Sequence, residues 1–266
     1  MKVAVLDIGS NTAKALVVQK NNSENFISIG EKSFSMRLLS GLTQKNPVFS
    51  FRVIEDVIDV IGKLIQFSSI HSPSVTCIVG TEALRRMKNS TDLVLRIKKK
   101  FSVDLQVLSG ESEAYLVAQG LLTDPAIIQL KSFSAIDIGG GSLEGIKVNN
   151  GLCEERFSLA LGAVVLAERF FSNITNCLTA SGINNLKKEI RSNLQKNGTS
   201  VLEPTRTLVG TGGSLVFLRR IISTINNNKF EDENILEFDS IEKVTQMISV
   251  MDVRARITAF PELPED

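Results

Sequence analysis

Two short segments carry residues that could do chemistry: Asp7-Ile8-Gly9-Ser10-Asn11-Thr12 and Asp137-Ile138-Gly139-Gly140-Gly141-Ser142. Glycine lets a backbone approach an anion closely. Successive N–H groups, helped by Ser and Thr hydroxyls, can then form a concave cradle for phosphate oxygens. A third run of the same character, Gly210-Thr211-Gly212-Gly213-Ser214, follows another apolar stretch. One such loop means little, because glycine-rich turns are common. Three in this order, two of them led by an aspartate, are more specific. The candidate phosphate-binding residues are Gly9, Ser10, Asn11, Thr12, Gly139, Gly140, Gly141, Ser142, Gly210, Thr211, Gly212 and Gly213. The aspartates add a second function. If Asp7 and Asp137 face each other across a cleft, their carboxylates and phosphate oxygens together suit a hard cation such as Mg²⁺. Turn chemistry alone also favours Asp at such positions, so simple turn-capping is the alternative. No Walker loop is present, and Gly139-Gly140-Gly141 leads into a strand pattern rather than the helix a dinucleotide fingerprint requires.

The elements around these loops follow from hydrophobic spacing. Val3 to Leu6 is a continuous apolar run, the mark of a strand buried on both faces, and Ala13 to Gln19 reads as its returning hairpin partner. Arg52 to Ile65 has helical spacing, Val75 to Val79 reads as a strand, and Ser90 or Thr91 can cap a helix reaching Lys100. Leu105 to Leu108 is a strand leading to Ser109, a candidate cap for a helix that runs to Leu121 with Glu113 in its first turn. Phe133 to Ile136, the Asp-Ile-Gly tripeptide and a strand from Gly145 to Val148 then repeat the opening pattern. Helices over Ala163–Phe171, Gly182–Gln195 and Leu215–Ile225 follow, with a strand at Thr207–Val209. Such a repeat signals duplication. The expected fold is α/β, two domains of one topology over 1–122 and 123–266 with a cleft between them.

Composition excludes several functions. The chain has 266 residues, with 30 basic side chains against 29 acidic ones, which argues against a protein that coats nucleic acid. Fourteen Phe, one Tyr and no Trp argue against base-stacking platforms. Cys77, Cys153 and Cys177 form no Cys-x-x-Cys pair and read as buried thiols in a reducing compartment. His71, the single histidine, reads as an incidental loop residue. The N-terminus enters a strand directly and no apolar run approaches the roughly 18–20 residues of a membrane span. A cytoplasmic protein without membrane partners is expected.

With these residues in view, the chain resembles the exopolyphosphatase / guanosine pentaphosphate phosphohydrolase (Ppx/GppA) family. That family lies within the actin, sugar kinase and heat-shock chaperone superfamily of two-domain RNase H-like proteins. The resemblance runs from Lys2 to Pro264. It rests on the two aspartate-led loops, on Arg37-Leu38 with Gly41-Leu42, and on Gly80-Thr81-Glu82-Ala83-Leu84-Arg85 with Asn89. Ser109-Gly110-Glu111-Ser112-Glu113-Ala114, Leu161-Gly162-Ala163-Val164 and Gly210-Thr211-Gly212-Gly213 complete it.

The resemblance implies hydrolysis of a terminal phosphate from polyphosphate or from guanosine pentaphosphate, with Mg²⁺ as cofactor. It implies Glu113 as the base that activates water and Arg85 as a positive charge at the cleft. It implies Asp137 and Glu144, with Asp7, as the groups around the metal. Homodimers are common in such a family. The chain also departs from the pattern. Lys14 replaces an Arg, Glu82 a small hydroxyl residue, Leu143 a Thr or Ser, and Val165 an Arg. The family continues past this point with a further helix and strand, so a second domain shortened at its end is expected. A binder that has lost hydrolysis and a superfamily ATPase or sugar kinase are the competing readings. The Ser109 to Ala114 block speaks against the latter. The basic clusters are local, which favours short or nucleotide-borne substrates.

Overall fold

The two aspartates sit in equivalent strands of two separate sheets. The computed structural model describes residues 1–21, 26–39, 47–171, 177–197 and 207–261. In the first sheet β1 (Lys2–Ile8) pairs antiparallel with β2 (Thr12–Lys20), from Lys2 opposite Gln19 to Ile8 opposite Ala13. β3 (Phe26–Ser35) continues the meander, while β4 (Val75–Gly80) joins β1 and β5 (Leu105–Val107) joins β4 in parallel. The order is β3-β2-β1-β4-β5. β1 alternates rather than burying every residue: Ala4, Leu6 and Ile8 are fully buried, but Val3, Val5 and Asp7 are half-buried. Helix α1 (Phe51–Ser69) buries Ile54, Val57, Ile58, Ile61 and Leu64, the stripe its spacing predicts. Its cap is Ser50, whose Oγ accepts the Val53 amide at 3.2 Å. A short helix α2 (Glu82–Arg86) follows β4, and α3 (Ser90–Phe101) precedes β5.

The cap of α3 differs from expectation. Ser90 is the first helical residue and Asn89 stands at the cap, without a side-chain capping bond. The Asn89 side chain instead accepts from the Phe49 N–H at 2.8 Å and donates to the Phe49 carbonyl at 2.9 Å. A long-range backbone partner has displaced the local one.

Helix α4 (Gly110–Leu121) leads on from β5, and the chain divides between Glu113 and Ala114 within it. The second sheet has the order β8-β7-β6-β9, from β6 (Phe133–Ile138), β7 (Leu143–Asn149), β8 (Leu152–Leu159) and β9 (Leu208–Thr211). Helices α5 (Ala163–Phe170), α6 (Ala180–Asn197), α7 (Gly213–Asn226), α8 (Phe238–Ser249) and α9 (Val253–Ala259) complete this unit. One core gathers Ala114 and Ala118 of α4 with Phe133, Ala135, Ile146 and Val148. A second gathers Ile221 and Ile222 of α7 with Val244 of α8 and Phe260.

The duplication reaches the detail of the ladders. In each unit an antiparallel three-strand meander is followed by a parallel strand beside its first member, the RNase H-like arrangement. The Gly9 N–H bonds the Thr12 carbonyl at 3.0 Å, and the Gly139 N–H bonds the Ser142 carbonyl at 3.1 Å. Register breaks between Val17 and Val18 in one unit and between Lys147 and Val148 in the other, ten residues past each aspartate.

The thiols are not buried as expected. Cys77 and Cys177 are exposed, and Cys153 is intermediate. On β4 the core side belongs to Ile78 and Gly80, so strand alternation turns Cys77 outward. The His71 ring stands edge-on to Phe67, with centroids 5.4 Å apart, and it packs over Gly30 of β3. No helix among the described residues is long and apolar enough to cross a membrane.

Candidate functional site

Both aspartate-led loops are built the same way. In the first, the Ser10 carbonyl accepts the Leu38 amide at 2.7 Å, and the Asn11 carbonyl accepts those of Met36 at 2.7 Å and Arg37 at 3.1 Å. Arg37 adopts a φ of 47° at this turn. In the second, the Gly139 carbonyl accepts the Ala163 amide at 3.0 Å, and the Gly141 carbonyl accepts that of Gly162 at 3.2 Å. The Gly140 carbonyl accepts from Val164 at 2.9 Å and Val165 at 3.2 Å. In each unit, therefore, the segment after the third strand folds back and occupies the loop's carbonyl oxygens. The N–H groups of Ser10, Asn11, Gly140, Gly141 and Ser142 have no protein acceptor among the described residues. Ser10, Gly141 and Ser142 are nonetheless buried. Buried backbone N–H groups are costly to leave unmade, and successive donors of this kind are what an anion-binding loop requires.

The two loops differ in what stands beside them. Asp7 lies opposite Lys14 across the β1–β2 ladder, whereas Asp137 lies opposite Glu144 across β6–β7. Like charges directly opposite each other on adjacent strands repel, and a cation relieves that repulsion. Glu144 is only 2% exposed and accepts a hydrogen bond from Ser158 Oγ at 2.6 Å. Two carboxylates beside a glycine loop suit Mg²⁺, which takes one or two protein carboxylates and fills its remaining positions with water and phosphate oxygens. Ser158→Ala is expected to cost about 1–3 kcal/mol, because Glu144 stays buried with one bond fewer. Thermal unfolding would measure it, and an unchanged melting point would contradict the assigned bond.

The third glycine run is not a loop. Gly210 and Thr211 belong to β9, in register with Ile136 and Asp137, and Gly213 is already the first residue of α7. Gly212 alone turns the chain, with a φ of 90° that only glycine adopts readily. A side chain there would overlap Asp137 Oδ1 and the Ile138 backbone. The structure thus brings Gly212 against the second loop, while Gly210 and Thr211 serve the sheet.

The remaining candidates meet in the first unit. Arg85 of α2 donates through Nη1 to Glu113 Oε2 at 2.6 Å and to the Leu108 carbonyl at 2.9 Å. Its Nε donates to Glu82 Oε2 at 3.1 Å, and its Nη2 lies 2.9 Å from the same oxygen. The three side chains are 18%, 19% and 12% exposed for Arg85, Glu113 and Glu82. Burial lowers the Arg85 pKa, but the hydrogen bond and charge of Glu113, then those of Glu82, outweigh it and hold the group above its usual value. Glu113 is where its motif places it. Ser109 Oγ accepts the Ser112 amide at 3.1 Å, and Glu113 follows in the first turn of α4, where the helix dipole favours a carboxylate.

Sequence reasoning missed three features: the Glu82 contact, the Ser158 bond and the carbonyl-capping segments. The sequence signals for the last were Arg37-Leu38 and the Leu161 to Val164 block, singled out without this role. Gly41 and Leu42 lie outside the described residues.

Comparison with known proteins bears on this arrangement. The Ppx/GppA phosphatase family model matches residues 16–261. Exopolyphosphatase 1 of Mycobacterium tuberculosis (strain ATCC 25618 / H37Rv) is 32% identical over 171 residues, covering 61% of this chain and 47% of that protein. Its Mycobacterium leprae counterpart is 31% identical over the same share of this chain and 48% of its own length. The chain therefore spans about half the length of these curated relatives. Among solved structures, the Aquifex aeolicus Ppx/GppA family member superposes with a TM-score of 0.79 at 22% identity, covering 100% of this chain and 84% of its own. An exopolyphosphatase from Cytophaga hutchinsonii gives 0.79 at 22% identity, over 97% and 82%. These likenesses establish a shared fold.

Proposed function

The chain belongs to the Ppx/GppA phosphatase family, and from that premise we propose that it removes the terminal phosphate of polyphosphate or guanosine pentaphosphate by attack of water. The observation that carries this reading is the pair of cradles whose carbonyls are occupied and whose amides are not. An inward-turned carbonyl would repel phosphate, whereas a row of N–H groups binds it without any net charge on the protein.

In the proposed reaction Glu113 accepts the proton of the attacking water as its oxygen bonds to the terminal phosphorus. The bridging P–O bond breaks, and the shortened chain leaves with the electron pair. A general base must be held in place, and Arg85 Nη1 donates to Glu113 Oε2. A carboxylate has lone pairs on both oxygens, so the contact at Oε2 does not exhaust its capacity. Ser10 and Asn11 in the first loop, and Gly140, Gly141 and Ser142 in the second, hold phosphate oxygens through their amides, while the N–H groups of Gly9 and Gly139 close the turns on Thr12 and Ser142. Asp137 and Glu144 would hold Mg²⁺, which supplies charge neutralisation on the phosphoryl oxygens. Asp7, opposite Lys14, is the weaker candidate for that role.

One observation favours a second reading. Glu113 Oε2 is tied to the Arg85 guanidinium at 2.6 Å, a structural contact that a binder without hydrolysis would also keep. The same experiment separates the two readings. Phosphate release from polyphosphate and from guanosine pentaphosphate is followed with Mg²⁺ and with excess chelator, beside calorimetric binding of each. Metal-dependent release supports the hydrolase. Tight binding without release at high protein concentration supports the binder and overturns the first reading.

A further inference from the structure

Glu82 has no part in the reaction described above, yet one of its oxygens approaches two nitrogens of Arg85. By charge alone, a carboxylate near an anion site looks like a defect. The geometry gives it another use. One oxygen of Glu82, Oε2, faces both Nε and Nη2 of Arg85 at 3.1 and 2.9 Å. That leaves the Nη1 corner to point at Glu113 Oε2 and the Leu108 carbonyl. Nε and Nη1 therefore donate hydrogen bonds, while Nη2 is held at ion-pair distance from Glu82 without one. An arginine fork is planar and rigid, so fixing one edge fixes the direction of the other.

The elements explain why such an anchor is needed. Helix α2 has five residues and no side-chain cap bond, too short to hold its own side chains in place. It follows β4, while Glu113 follows β5, and the two strands end side by side with Gly80 opposite Val107. The Arg85 bridge ties the two strand ends together, and Glu82 keeps the bridge from swinging.

We propose that Glu82 is a positioning residue: by anchoring the Nε and Nη2 edge of Arg85, it makes Nη1 hold the Glu113 carboxylate in one orientation. This rests on the proposed role of Glu113 as the base. A Glu82 that merely stapled the turn of α2 would act independently of Glu113, and that difference is measurable.

The test is a mutant cycle. Glu82→Ala is expected to lower kcat about 10-fold with KM within about 2-fold, because orientation rather than binding is lost. Glu82→Asp, which keeps the charge, is expected to recover most of the rate. In a Glu113→Gln background, Glu82→Ala is expected to change the residual rate no further. An additive effect there, or a change confined to KM, overturns the proposal.

A second arm needs no activity. The Arg85 Nε proton, observed by ¹⁵N-resolved NMR, is expected to exchange slowly in the unmodified chain and in Glu113→Gln, and to lose that protection in Glu82→Ala, which removes the acceptor. Fast exchange in the unmodified chain, or protection surviving Glu82→Ala, overturns the anchor. A chain that releases no phosphate but shows the expected exchange pattern overturns the hydrolase reading and leaves the anchor standing.

Discussion

Replacing Glu113 with Gln is expected to cut phosphate release about 10²–10⁴-fold, the usual contribution of a positioned general base. Binding should survive. Gln is nearly the same shape, and its carbonyl oxygen can still accept from Arg85 Nη1, which now reaches Glu113 at 2.6 Å. What disappears is the capacity to take a proton from water. The fold should also survive, because Glu82 remains beside Arg85 and the guanidinium is not left as an uncompensated buried charge. A charged hydrogen bond is worth about 1.5–3 kcal/mol and Gln keeps its neutral form, so only part of that is at stake. Steady-state phosphate release, calorimetric binding and thermal unfolding together check the claim. A variant that turns over at the original rate would remove Glu113 from the mechanism. One that neither binds nor folds would show the residue to be structural.

Gly162→Ala should have the other large effect, for a different reason. The backbone there is ordinary, with φ −69° and ψ 156°, so alanine is not excluded by conformation. It is excluded by space, because the added methyl would overlap backbone atoms of Gly140 and Gly141. Backbone cannot rotate aside as a side chain can. The loop must move, and the bonds from Gly162, Ala163, Val164 and Val165 to its carbonyls weaken together. Overpacking of this kind costs about 1–3 kcal/mol. A displacement of about 1 Å in a positioning loop can lower the rate about 100-fold. Gly120→Ala is the control. That site in α4 is exposed with open space around it, and alanine in a helix interior is about 0.5–1 kcal/mol better than glycine. Melting points and phosphate release for the pair measure both effects. A Gly162→Ala chain that melts and turns over like the parent would contradict the close packing described.

Much of this was legible in the residues. The Asp-Ile-Gly repeat foretold matched strands, and the first-turn place of Glu113 followed from Ser109 as a cap. Local chemistry decides such features, so they can be read locally. What could not be read depends on contacts between distant segments. Nothing near Asn89 reveals that its amide serves Phe49 rather than the helix it precedes. Nothing near Gly210 or Thr211 shows that pairing with Ile136 and Asp137 draws them out of a loop and into a strand. The charge of Glu82 was visible, but its sign of effect was not, since that depends on which way Arg85 turns. The exposed Cys77 is a milder case. Its residue type argues for burial, while the alternation of β4 puts it outside.

The central claim is that the free amides of the two loops take phosphate oxygens. Titrating ¹⁵N-labelled protein with tripolyphosphate in the presence of Mg²⁺ tests it most directly. The expected result is a saturable shift of the Ser10 and Asn11 amide signals and of the Gly140, Gly141 and Ser142 amide signals, with the Gly120 signal unmoved. If those five amides stay still while the ligand demonstrably binds and shifts other parts of the chain, the phosphate-cradle account is wrong.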